Sequence, residues 1–175
     1  MSTIRVALLV LADGTTFEGE AIGAAPDGGG ATGEGVFNTA LTGYPELITD
    51  PSYAGQFVTM TYPEIGNYGV CAADRESRGL FLNGLLIHEL NAPANWRSEQ
   101  SLADYLREHG VPGLAGLDTR ALTSLLRDRG TQKAFLCTSG NVTPEAGVAQ
   151  ARAWEGLDGQ DYASRVSCAQ AYDWD

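Results

Sequence analysis

A chain of 175 residues, 43% of them hydrophobic, can bury a full core, and its length favours one domain over two. Its 22 acidic residues outnumber 11 basic ones, among which Lys133 is the single lysine, so the clustered positive charge that a nucleic-acid binder needs is missing. The early apolar stretch Val6 to Ala12 is too short to span a membrane and follows only Arg5, while Cys71, Cys137 and Cys168 suggest neither a disulfide framework nor a zinc site; a cytoplasmic protein with free thiols and no membrane association is expected.

Val6 to Leu11 is a short apolar run closed by Asp13-Gly14, and Thr15 to Ala21 then alternates, which predicts a β-hairpin. Gly23 to Gly33 reads as a glycine-dense loop, with a strand beginning at Gly35 and ending at Thr39. After the turn Thr42-Gly43-Tyr44-Pro45, Glu46 to Thr49 predicts one helical turn, Asp50-Pro51-Ser52-Tyr53 a second turn, and Phe57 to Tyr62 a strand. Gly66 to Gly69 is a tight turn, and Leu80 to Leu90 reads as a strand with a bulge at Asn83-Gly84. The first 90 residues are therefore expected to be mainly β.

The period then changes. Helices are predicted near 101–109, 118–129 and 143–154, with Asp118 and Thr143 as N-caps, Pro144 at the first helical position, and Gly110 and Gly130 as stops. The basic group Arg127, Arg129 and Lys133 reads as a helix C-terminus, and Ala134 to Thr138 as a strand. Strands first, then helices mixed with strands, predict an α+β layered domain.

Three chemistries can be weighed from the residues. Gly28-Gly29-Gly30-Ala31-Thr32-Gly33 matches G-x-G-x-x-G, but Pro26-Asp27 precedes it and a strand follows, where a dinucleotide site needs a strand before and a helix after. No phosphate-binding G-K-[ST] loop exists, because Gln132 precedes the single lysine. A Cys-His hydrolase would have to recruit His88 or His109, yet none of the cysteines lies in a strand-to-helix nucleophile turn, so structural roles are favoured.

The segment from Phe37 to Tyr53, reading FNTALTGYPELITDPSY, closely resembles a signature of the carbamoyl phosphate synthase small subunit. The likeness continues through Thr61 to Gly69, Leu117 to Thr123 and Leu125 to Gly130, and takes in the opening Ala7 to Thr15. The closing Tyr172-Asp173-Trp174-Asp175 resembles the junction between that subunit's two halves.

The resemblance implies a three-layer β/β/α fold in which residues 1–175 form one N-terminal domain. It implies a glutamine amidotransferase domain beyond Asp175, carrying the nucleophilic cysteine and its His-Glu pair, so this chain holds no catalytic residue and no metal. Ser52 matches the family's glutamine-binding serine, while Asn38, Thr42 and Tyr44 are assigned to packing and turn geometry. No cofactor is expected in this domain; ATP and magnesium are used by a large subunit, which receives ammonia and makes carbamoyl phosphate for pyrimidine and arginine biosynthesis. The implied partners are that large subunit, the amidotransferase domain and glutamine. Two rivals stand beside this reading: a docking module with no glutamine contact, and an independent hydrolase using Cys71 or Cys137.

Overall fold

Val6–Leu11 (β1) is apolar on both faces because both faces are covered, whereas Thr16–Gly23 (β2) alternates as far as Ala21, where only its inner side is covered. The two pair antiparallel from Val6 opposite Glu20 to Val10 opposite Thr16. Asp13 fixes the turn between them, its Oδ1 accepting from the Thr15 N–H at 2.8 Å. The computed structural model describes residues 5–173, so Trp174 and Asp175 of the junction-like ending lie outside the described residues.

Seven strands close into a barrel. Around it run β1, β2, Pro112–Ala115 (β8), Gly84–Leu86 (β6), Gln56–Met60 (β4), Gly30–Asn38 (β3) and Gln132–Cys137 (β9), which returns to β1. The pairs β3/β4, β4/β6 and β6/β8 are parallel and the others antiparallel. Glu64–Ile65 (β5) and Glu89–Leu90 (β7) form a separate two-stranded sheet. Closure leaves none of the seven strands with an unpaired edge.

Strand alternation divides the core. Leu9, Leu11, Phe57, Leu86, Leu114 and Leu136 fill the barrel interior together with Leu122 and Leu126 of the helix Thr119–Arg129 (α3). The outward side chains Val58, Met60, Leu85 and Ile87 pack instead with Tyr44–Thr49 (α1) and Leu102–Glu108 (α2). Pro144–Ala153 (α4) covers the other side, where Ala151 meets Phe135 and Cys137, and a last short helix spans Tyr162–Val166 (α5). The expected α+β class holds, with sheet dominating the core. Among the described residues no helix is long and apolar enough to cross a membrane.

The caps are as predicted: Asp118 Oδ1 accepts from the Ala121 N–H at 2.9 Å, and Thr143 Oγ1 from the Ala146 N–H at 3.3 Å. Three expectations are corrected. Strand β3 starts five residues early, at Gly30, because glycine is needed where its backbone crosses β9; a Cβ there would lie 2.3 Å from the Phe135 ring. Leu80 to Leu90 is two short strands in different sheets, with Asn83 giving its side-chain N–H to the Thr32 carbonyl at 2.8 Å. Lys133 belongs to β9, and its ammonium caps α4 by donating to the carbonyls of Trp154 at 2.9 Å and Glu155 at 3.0 Å.

Candidate functional site

The Phe37–Tyr53 segment leaves β3 at Asn38, turns into α1, and ends in a 3-10 turn, Pro51–Tyr53. Side chains replace the ladder bonds it lacks. Asn38 accepts from the Ala40 N–H at 2.7 Å and donates to the Tyr53 hydroxyl at 3.0 Å.

Helix α1 begins at Gly43, which has no side chain with which to cap its own N-terminus. The Tyr68 phenol does so from 25 residues away, accepting from the N–H groups of Gly43 at 2.7 Å and Tyr44 at 3.1 Å. Thr42 donates to the same oxygen at 3.4 Å. The Tyr44 and Tyr68 rings stack with centroids 4.3 Å apart, and the buried Tyr44 hydroxyl donates to the Gly69 carbonyl at 2.7 Å. Burial and the neighbouring Tyr68 push the Tyr44 phenol well above its usual range. Thr49 closes the far end of α1, donating to the Pro45 carbonyl at 2.8 Å and accepting from the Glu76 N–H at 2.9 Å. Asn38, Thr42 and Tyr44 thus have the turn-building contacts described.

Ser52 follows directly. Its N–H is held by Asp50 Oδ1 at 2.8 Å, and the residue is exposed. Among the described residues its hydroxyl has no hydrogen-bond partner. Two clefts flank it, and Ser52 lines neither. Asp50 and Tyr53 line one of about 340 Å³ with Asn38, Glu46 and Glu76; Pro51 lines the other, of about 510 Å³, with Arg78, Val166 and Tyr172.

The segment from Leu157 onward packs beside this turn. Leu157 and Tyr162 fill the space over Gly55, where a Cβ would lie 2.4 Å and 2.7 Å from them, and Arg78 donates to the carbonyls of Val166 at 2.9 Å and Arg165 at 3.2 Å. Arg78 and Tyr68 are contributions that sequence reasoning missed. A glycine cap followed by tyrosines in the same family likeness was a usable signal for Tyr68; Arg78 left none.

The structure brings no imidazole to a thiol among the described contacts. His88 Nδ1 lies 3.1 Å from the Leu117 carbonyl, and the His109 ring contacts Tyr105. Cys71 Sγ donates to Glu99 Oε1 at 3.6 Å. Cys137 is fully buried; burial pushes its thiol up, but hydrogen bonds from Ser139, Gly140 and Asn141 outweigh that and hold it below the usual value. Gly28-Gly29 end a single 3-10 turn that opens directly into β3, so the G-x-G-x-x-G string has no helix N-terminus for a pyrophosphate.

Residues 9–136 match the sequence model of a family described as carbamoyl-phosphate synthase small chain, CPSase domain. Among similar proteins are the carbamoyl phosphate synthase small chains of Pseudomonas aeruginosa, 50% identical over 171 residues, and Escherichia coli K12, 48% identical over 172. These alignments take in 97% and 98% of this chain but 44% of each relative, so the chain spans somewhat under half their length. The small chain of Acinetobacter baylyi is 49% identical over 172 residues, covering 96% of this chain and 45% of that one.

Proposed function

The chain belongs to the carbamoyl-phosphate synthase small-chain family, and on that premise we propose that it is the N-terminal domain of a glutamine-hydrolysing small subunit. In this reading Ser52 helps hold glutamine while an amidotransferase domain supplies the nucleophilic cysteine and its His-Glu pair. Ammonia passes to a large subunit, where ATP and magnesium are used to form carbamoyl phosphate from bicarbonate. The setting is cytoplasmic, and the product serves pyrimidine and arginine biosynthesis. The three-layer β/β/α description belongs to the same reading: opposite barrel walls are two β layers and the outer helices the third.

The observation that carries the proposal is the state of Ser52. Its backbone is pinned by Asp50 while its hydroxyl is exposed and unclaimed among the described residues. A turn-held hydroxyl can donate and accept toward an amino-acid ligand without losing much freedom on binding. Residues 157–172 lie beside that turn, so a domain following them would start near it. The catalytic step is assigned outside this chain because no imidazole meets a thiol among the described residues, and the isolated chain is expected to release no ammonia from glutamine.

The test is Ser52→Ala in the complete two-subunit synthase. Losing the hydrogen bond should cost roughly 0.5–3 kcal/mol, up to about a hundredfold in apparent glutamine affinity. Ammonia-dependent synthesis should survive, because it bypasses glutamine. Unchanged glutamine kinetics would reject the assignment and favour the docking-module reading, for which Leu41, 72% exposed within the signature, and Trp96, 92% exposed, are the specific observations.

A further inference from the structure

On α3, the residues Arg120, Thr123, Ser124 and Arg127 recur at i, i+3, i+4 and i+7, which puts them on one face. With Thr39 and Thr61 they line a cleft of about 340 Å³, separate from the two beside Ser52. Thr39 and Thr61 are the first residues past β3 and β4, two parallel neighbours, and the Thr61 N–H donates to the Asn38 carbonyl at 3.1 Å. The cleft therefore sits off the carboxyl ends of two parallel strands.

Its chemistry is one-sided. All six lining side chains carry hydrogen-bond donors and none is acidic, in a chain whose net charge is −11. Arg120 makes no ion pair among the described residues. Arg127 gives only its Nε–H to Asp128, at 2.9 Å, which leaves its terminal N–H groups unused. Thr123 Oγ1 is buried without a hydrogen-bond partner, an arrangement that costs free energy unless something fills it. The opposite face of α3 is locked into the barrel through Leu122 and Leu126, so the backbone that carries the donors is held in place before any ligand arrives.

We propose that this cleft is an oxyanion site, taking a phosphate or carboxylate group between the Arg120 and Arg127 guanidiniums with Thr39, Thr61, Thr123 and Ser124 supplying hydroxyl donors. Guanidinium forks match the paired oxygens of either group and bind them through charge-assisted hydrogen bonds. The two arginines are about 10 Å apart along the helix axis, close enough for both long side chains to reach one anion. The site is independent of Ser52 and of the glutamine reading.

The 175-residue chain would be titrated with inorganic phosphate and, in parallel, with acetate, following backbone amide shifts at constant ionic strength. Saturable shifts confined to Thr39, Thr61 and residues 119–127, weakened about tenfold or more in Arg120→Gln and in Arg127→Gln, establish the site. Tighter binding of phosphate than acetate assigns it to phosphoryl groups, and equal binding to carboxylates. Both arginines are exposed, so the variants should melt like the parent. No saturable shift with either anion, or shifts unchanged in both variants, would overturn the proposal.

Discussion

The two flanks of the barrel are held by different physics. On the α4 flank the helix is seated by close apolar packing, with Lys133 and Arg152 bonding only at its C-terminal end: Ala151 is fully buried against Phe135 and Cys137, and Gly147 rides so close to β1 that a Cβ would lie 2.6 Å from Val10. On the α1 flank the chain passes from strand to helix to 3-10 turn in seventeen residues, and single atoms hold its turns: the Tyr68 oxygen, the Asn38 amide, the Asp50 and Thr49 oxygens. A packed wall specifies volume, which several residues can supply, whereas a turn held by hydrogen bonds specifies donors and acceptors at fixed places. Function belongs on the second kind of surface, since its backbone is fixed without its side chains being entombed.

The contrast can be broken at Gly147. Gly147→Val would push α4 off β1 and should cost about 1–3 kcal/mol by overpacking, read as a lower urea midpoint with the slope unchanged. A variant as stable as the parent would mean that the α4 contact is loose and the contrast false.

Tyr68→Phe tests the other flank, because it keeps the stacked ring and removes only the shared oxygen. The N–H groups of Gly43 and Tyr44 would lose their acceptor, and stability should fall by about 1–2 kcal/mol. Hydrogen exchange should quicken at residues 43–44 while the α4 amides keep their protection. Uniform loss of protection would show that the flanks unfold as one unit.

The smallest effect is expected at Asp13, which joins the hairpin turn to the Arg129 guanidinium at 2.8 Å. Slight burial works upward on its carboxyl, but the Thr15 hydrogen bonds and Arg129 hold it below its usual range. A lowered folded value means the contribution is present above the unfolded pKa of about 3.9 and lost as acid takes the pH through the folded one. For so exposed a pair the gain is below about 1 kcal/mol. Asp13→Asn should therefore lower stability slightly at pH 7 and flatten the decline between roughly pH 5 and 2; an unaltered acid limb would remove Asp13 from the account.

How legible each flank was follows from the same difference. The α4 flank was read from general rules, Thr143 as cap and Pro144 at the start, and nothing in its sequence named a family. The string from Phe37 to Tyr53 resembled a family at sight because each position carries its own bond, yet the distant Tyr68 that caps α1 could not be placed by periodicity. Strand β8 leaves no local signal, since Pro112-Gly113-Leu114-Ala115 has no alternation and pairs with strands far away in sequence. Barrel closure was hidden for the same reason: it rests on β9 meeting β1 and β3, registers that only the assembled fold sets.

That closing strand has a consequence for how the protein is made. Strand β1 gains its second neighbour only when Leu8 meets Cys137, so the first hairpin must wait until residues 132–137 have left the ribosome. At about 5–20 residues per second the wait lasts on the order of 10 s. Throughout it an apolar strand stands with one edge open, the geometry that invites pairing with another nascent chain. Expression at lower temperature, or with more holdase chaperone, should raise the soluble yield by guarding that one edge until its partner is synthesised.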